Sequence, residues 1–242
     1  MPEEFDRKAY KRAMSEAINH IEERIHEACE VSGRARSEVK LIAVSKTVDL
    51  AQVEVAYELG LRYLGENRPQ ELVRKYEGLI GNYPDLHFHM IGNLQSNKIN
   101  SLLGKAELIH SVSFLKPAKQ INTRAAREDL VQDVLLEVNI SGEKSKEGMS
   151  SSELKESFEE LLSLDNLHII GLMTMAPQGD LGVAEKCFED LRMLRDSLED
   201  AYPSCELSEL SMGMSEDFSQ AIRQGATIIR LGRSIFDPQF RV

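Results

Sequence analysis

After Gly33 the chain settles into a repeating alternation of short apolar runs and longer amphipathic stretches. Eight runs read as strands: LIAVSK (41–46), LRYLGEN (61–67), LHFHMIGN (86–93), ELIHSV (107–112), DVLLEVNI (133–140), LHIIGLMTM (167–175), LSELSMG (207–213) and TIIRLG (227–232). Several are continuously apolar, as parallel strands covered on both faces are. Helices are expected between them at 50–59, 68–79, 95–103, 114–129, 151–163, 182–201 and 216–224, with Asp49 capping the first and Gly60 stopping it. Ahead of the alternation, residues 3–30 carry an apolar stripe of Ala13, Ile18, Ile21, Ile25 and Ala28 and predict one long helix. Strands alternating with helices, with no long linker, predict a closed parallel (β/α)8 TIM barrel spanning 1–242 as one domain, with an additional N-terminal helix. The tail RSIFDPQFRV is too short for a full closing helix, so the N-terminal helix is expected to fill the vacant place in the outer ring. The longest polar stretch, SGEKSKEGMSSS (141–152), is expected to be mobile.

Composition narrows the function classes. A chain of 242 residues suits one barrel, which typically needs about 250. No apolar run approaches the roughly 18 residues that span a bilayer, and the charged N-terminus does not read as a signal peptide. A cytoplasmic protein is the default expectation. The net charge of -11 argues against nucleic-acid binding, which needs clustered cations. Cys29, Cys187 and Cys205 are far apart, lack metal-ligand spacing and read as free thiols.

Barrel chemistry collects at the carboxyl ends of the strands, and polar residues fall there. Lys46 ends the first run, Asn67 the second and Asn93 the third; Thr174 lies near the end of the sixth. Ser211 and Ser215 lie at or just past the end of the seventh, and Arg230 and Gly232 lie at the end of the eighth. Lys46 follows LIAVS, so its amine is expected over a partly apolar floor, where burial favours the neutral nucleophile. A lysine marking a strand end with its head in water fits the same position. SMGMSEDF (211–218) precedes a helix whose free N–H groups suit a phosphate, with Ser215 as N-cap or ligand contact. RLGRSIF (230–236) adds a second glycine turn, and the loops after strands seven and eight are where barrels build phosphate sites. Arg230 inside an apolar strand needs an acceptor, a ligand or an ion pair. His87 and His89 share a strand face and read as packing or rim residues, with no metal site.

AVSK (43–46), GEN with QE (65–67, 70–71), HMIGNLQSNK (89–98), GLMTMA (171–176), LSMGMSEDF (210–218) and AIRQGATIIRLGRSIF (221–236) resemble the pyridoxal-phosphate homeostasis protein family, in matching order from about residue 40 to 236. The resemblance implies the alanine-racemase N-terminal barrel, a fold-type III pyridoxal-phosphate protein, with pyridoxal 5′-phosphate held as an aldimine on Lys46. It also implies Asn67 beside the cofactor ring, Ser215 on the phosphate, Ser211 as a further pocket member and Arg230 on the pyridine nitrogen. Gly232 and Arg233 would form the turn whose N–H groups hold phosphate. The chain departs from the family pattern at Arg68-Pro69, at Arg233-Ser234 and at Asp237; a backbone contact tolerates these changes.

Three functions compete: a cofactor-holding regulator of vitamin B6 homeostasis, a pyridoxal-phosphate amino-acid racemase, and a Schiff-base aldolase acting on a sugar phosphate. An arginine beside the pyridine nitrogen weakens the electron sink that carbanion chemistry needs. Six residues follow Phe236, so no second domain carrying an opposing base is expected, although Tyr63 could reach the cofactor from within the barrel. The aldolase reading does not explain the whole motif series. The regulator is favoured, with no catalytic residue assigned, no nucleic-acid or membrane partner, apo forms of pyridoxal-phosphate enzymes as candidate recipients, and a monomer expected.

Overall fold

A computed structural model describes residues 6–143, 146–237 and 239–240. All eight expected strands are present: β1 (Lys40–Val44), β2 (Tyr63–Glu66), β3 (His87–Met90), β4 (Leu108–Val112), β5 (Gln132–Glu137), β6 (Leu167–Met173), β7 (Glu209–Ser211) and β8 (Ile228–Leu231). They pair in parallel in chain order and close through β8 on β1, with Leu231 opposite Ala43. Ile42, Leu108, Leu135, Met173 and Ile228 pack together inside the barrel, while Leu41, Ala43, Leu64 and Phe88 on alternate positions join the larger core under the helices. That two-sided burial explains the continuous apolar runs.

The helices are α1 (Arg7–Val31), α2 (Leu50–Glu58), α3 (Pro69–Leu79), α4 (Ile99–Leu102), α5 (Leu115–Arg127), α6 (Ser151–Leu162), α7 (Leu181–Ala201), α8 (Phe218–Arg223) and α9 (Arg233–Phe236). Asp6 caps α1 by accepting from the N–H groups of Lys8 and Ala9, and the helix buries Met14, Ile18, Ile21, Ile25 and Ala28. It packs on α2, α8 and α9 and so occupies the ring position that the one-turn α9 leaves open. The helix expected over 95–103 is instead a 3₁₀ turn at Ser96–Lys98 followed by α4. The QSNKINS stretch is rich in side chains that compete for backbone hydrogen bonds, and burial of Leu94, Ile99, Leu102 and Leu103 bends the chain to the core.

Much of the 141–152 loop is tied down. Met149 is buried, pairs with Val138 and donates its N–H to the Glu137 carbonyl, while Asn139 donates to the carbonyls of Glu143 and Lys146. Residues 144–145 lie outside the described residues. Cys29 and Cys187 are buried and all three cysteines are free thiols. Among the described residues, no helix is long and apolar enough to cross a membrane.

Candidate functional site

Chain-order closure gathers the polar strand ends on one sector of the carboxyl-end mouth, from β6 through β7, β8 and β1 to β2. Because β8 closes on β1, the 232–234 turn stands beside the turn that carries Lys46. Lys46 lies two residues past the end of β1 and is exposed, with no hydrogen bond or ion pair to the described residues. The expected partly buried amine is therefore not what the structure shows. The apolar floor stops at Val44, and below Lys46 the chain turns polar.

Ser45, fully buried, donates its N–H to the Gly65 carbonyl and its hydroxyl to Glu66 Oε1 at 2.5 Å. Lys75, on α3, donates to the same Glu66 oxygen at 2.6 Å and to the Ser45 carbonyl, and both charged side chains are fully buried. A buried pair of this kind holds geometry more than it adds net stability. Here it joins β1, β2 and α3 directly under Lys46. Sequence reading missed Lys75. The available signal was its place between Leu72 and Leu79 on the buried stripe of α3.

On the opposite flank, Arg230 is 5% exposed and donates to Ser211 Oγ at 2.6 Å and to the Thr174 carbonyl at 3.1 Å. Thr174 is held in turn by its hydroxyl on the Val138 carbonyl at 2.7 Å. Ser211 is fully buried beneath Arg230, so it supports the arginine. Burial pushes the Arg230 pKa down to about 10, against the opposing fields of Glu137 and Asp217, so it remains a cation at neutral pH. No carboxylate lies within ion-pair distance of it among the described residues, so the ion-pair alternative for Arg230 is not realised. Glu137, buried at the end of β5, has its pKa raised to about 7 by burial, with Arg230 pulling the other way.

The third group comes from the loops after β7 and β8. Ser215 Oγ and Ser234 Oγ are 3.0 Å apart, and both residues are buried. The N–H groups of Ser215 and Arg233 have no acceptor among the described residues. Gly213 makes this turn possible: its φ is +92°, and a Cβ there would stand 2.6 Å from that of Ala221. Ser215 is not the N-cap of α8 as expected. That place falls to Asp217, whose Oδ1 accepts from the Met214 N–H at 2.6 Å and tightens the turn ahead of the helix. Arg233 turns its side chain outward to Glu216 at 2.7 Å and over the Phe240 ring, leaving its backbone N–H at the turn. Gly232 stands against Val44, where a Cβ would meet the valine at 3.3 Å.

Asn67 follows β2 and is half-buried. Gly92 lets the chain after β3 close on it, because a Cβ at Gly92 would lie 2.3 Å from the Asn67 carbonyl oxygen. Tyr63 does not face the mouth. It stacks on His87 with ring centroids 4.7 Å apart, near Lys40 and at the start of β2, on the floor side of the barrel. His87 pairs with Glu107, and His89 is buried and bonded to His110, a lumen residue not singled out from the sequence.

Among the described residues, the donor set therefore combines an unpaired amine, a buried cation without a counter-ion, two hydroxyls and open backbone N–H groups around one mouth. That chemistry fits a small ligand bearing a carbonyl, an acceptor nitrogen and a phosphate.

Comparisons with known proteins show the family and the fold. Residues 18–238 match the family model described as alanine racemase, N-terminal domain. A pyridoxal phosphate homeostasis protein of Aquifex aeolicus is 45% identical over 222 residues, which are 91% of this chain and 96% of that protein. The solved structure of PipY from Synechococcus elongatus, with PLP bound, shares 32% identity and a TM-score of 0.78, covering 88% of this chain and 99% of its own. An alanine racemase of Clostridium difficile shares the fold at a TM-score of 0.73 with 14% identity, covering 95% of this chain and 59% of the racemase.

Proposed function

The chain belongs to the pyridoxal phosphate homeostasis protein family, and on that premise we propose that it binds pyridoxal 5′-phosphate at the barrel mouth, attached through the amine of Lys46. In this reading it serves cofactor homeostasis by holding and releasing pyridoxal 5′-phosphate to apo enzymes, and does not turn over amino acids.

One observation carries the reading: the buried Arg230 guanidinium places only two hydrogen bonds, both on neutral oxygens, and meets no carboxylate at ion-pair distance among the described residues. An unprotonated pyridine nitrogen suits that donor. When bound, the cofactor supplies an aldehyde that condenses with amines and a ring that can draw electrons. Arg230 restrains the second property, because a cation beside the ring nitrogen disfavours its protonation. Lys46 presents its amine at the open, solvent-facing side of the mouth, where it would hold the cofactor's aldehyde. Ser215, Ser234 and the N–H of Arg233 would hold the phosphate, and Asn67 would be a neighbour of the ring. A two-base racemase would need a base on the opposite face, and Tyr63 is on the floor instead.

Addition of pyridoxal 5′-phosphate to the purified protein, borohydride reduction and peptide mapping test this reading. The reduced label is expected on Lys46. Lys46→Ala is expected to lose it while melting like the parent, since the side chain is exposed. A label on another lysine would overturn the assignment. Apo pyridoxal-phosphate enzymes mixed with the loaded protein should regain activity.

A further inference from the structure

Beneath Arg230 the barrel lumen holds a line of polar groups that the proposed cofactor contacts do not use. Ser211 Oγ, which accepts from Arg230, lies 2.8 Å from His110 Nδ1, and His110 Nε2 lies 2.8 Å from His89 Nδ1. The line crosses the lumen from β7 to β4 and on to β3. Ser211, His110 and His89 are all fully buried.

The donor order follows from the cation at its upper end. A guanidinium only donates, so the Ser211 oxygen receives from Arg230. The Ser211 hydroxyl proton then has one acceptor among its described partners, His110 Nδ1. A neutral imidazole keeps a single N–H, so His110 carries it on Nε2 and donates to His89 Nδ1. His89 is then also protonated on Nε2, and that atom faces Glu107 Oε1 across 3.9 Å. Burial keeps both rings neutral, pushing the His89 pKa down to about 3 and that of His110 in the same direction.

We infer that His110 is a positioning residue for the cofactor: by accepting the Ser211 proton it holds the Ser211 lone pairs on Arg230, and so fixes the guanidinium that meets the ring nitrogen. Without that acceptor the hydroxyl is free to turn, and one of the two restraints on the guanidinium is lost. The inference rests on the mouth being a pyridoxal-phosphate site.

Two measurements test it. In the protein free of cofactor, ¹⁵N spectra of the histidine rings are expected to show His110 and His89 as Nε2–H tautomers; an Nδ1–H tautomer at His110 would overturn the donor order. With pyridoxal 5′-phosphate as probe, His110→Phe removes the acceptor, while His110→Asn can offer a carbonyl oxygen near the Nδ1 position. His110→Phe is expected to weaken retention at least about tenfold, the scale of a lost hydrogen bond to a charged group, and to shift the absorption band of the bound cofactor. His110→Asn is expected to restore both toward the parent. Retention and spectrum unchanged in His110→Phe, or equal losses in both variants, would overturn the positioning role. A parent protein that takes up no pyridoxal 5′-phosphate would instead overturn the underlying site reading, a separate and distinguishable failure.

Discussion

Lys75 Nζ lies 2.6 Å from Glu66 Oε1 with both side chains fully buried, and the same ammonium holds the carbonyl of Ser45, the residue before Lys46. The reactive amine proposed for this protein therefore stands on a second lysine that is locked in place and inaccessible. Glu66 Oε2 has no hydrogen-bond partner among the described residues, so this carboxylate depends heavily on Lys75 and Ser45. Lys75→Met is expected to destabilise the protein by about 3–5 kcal/mol, the cost of leaving one buried charge unpaired. The double change Lys75→Met with Glu66→Gln should recover part of that loss. Urea unfolding of the three proteins checks this, and a single-variant loss under about 1 kcal/mol would contradict the buried pair.

Ser215 supplies one of two adjoining hydroxyls in the turn proposed to hold phosphate. Ser215→Ala is expected to weaken pyridoxal 5′-phosphate retention by about 1–3 kcal/mol, as for a lost charge-assisted contact. Pyridoxal, which lacks the phosphate, should bind the parent less well, and the substitution should narrow that difference. Equal retention of both aldehydes by the parent would remove the phosphate assignment.

Stability is expected to carry two opposed pH dependences. His89 and His110 are kept neutral by burial, whereas unfolded histidine titrates at about 6.5. Below that value the unfolded chain binds protons that the folded one refuses, so their contribution is lost as pH falls from about 6.5. Glu137, raised to about 7 by burial, acts in the reverse sense. Its folded form keeps a proton that the unfolded glutamate, near about 4.3, has released, so stability from this group is full below that value and is lost as pH rises from there through its folded pKa of about 7. Each fully titrating group contributes a slope of about 1.4 kcal/mol per pH unit. Glu137→Gln should remove this decline between about pH 5 and 7 from urea-unfolding profiles; an unaltered slope there would count against a proton on Glu137.

Amino-acid turnover is expected to be negligible. With loaded protein in heavy water, α-proton exchange of L-alanine should remain far below the ordinary enzyme range of about 1 per second or more. Chiral analysis should find no accumulating D-alanine. Turnover near that range would favour the racemase reading and require a base that the described mouth does not identify.

The eight strands were legible because parallel strands buried on both faces leave continuous apolar runs, and the N-terminal helix because its stripe repeats at helical spacing. Lys46, Ser215 and Arg230 were legible because each stands at or near the carboxyl end of such a run, within a motif. The 3₁₀ turn at Ser96–Lys98 was not: local propensities there are weak, and packing of Leu94 and Leu102 decides the path. Met149 likewise anchors a stretch that reads as polar and loose, because one buried side chain outweighs several solvated ones.

By itself the sequence determined the order of elements, the closed-barrel class and the residues at its mouth, since periodicity and strand ends are local properties of the chain. Only the tertiary structure decided what stands behind those residues. Lys75 meets Glu66 across 9 positions, His110 meets Ser211 across 101, and Arg230 meets Thr174 across 56. Helical spacing marks Lys75 as a buried position, but nothing local marks which group each of these residues meets. A buried polar atom needs a complement, but closure of the barrel determines which strand brings one within reach.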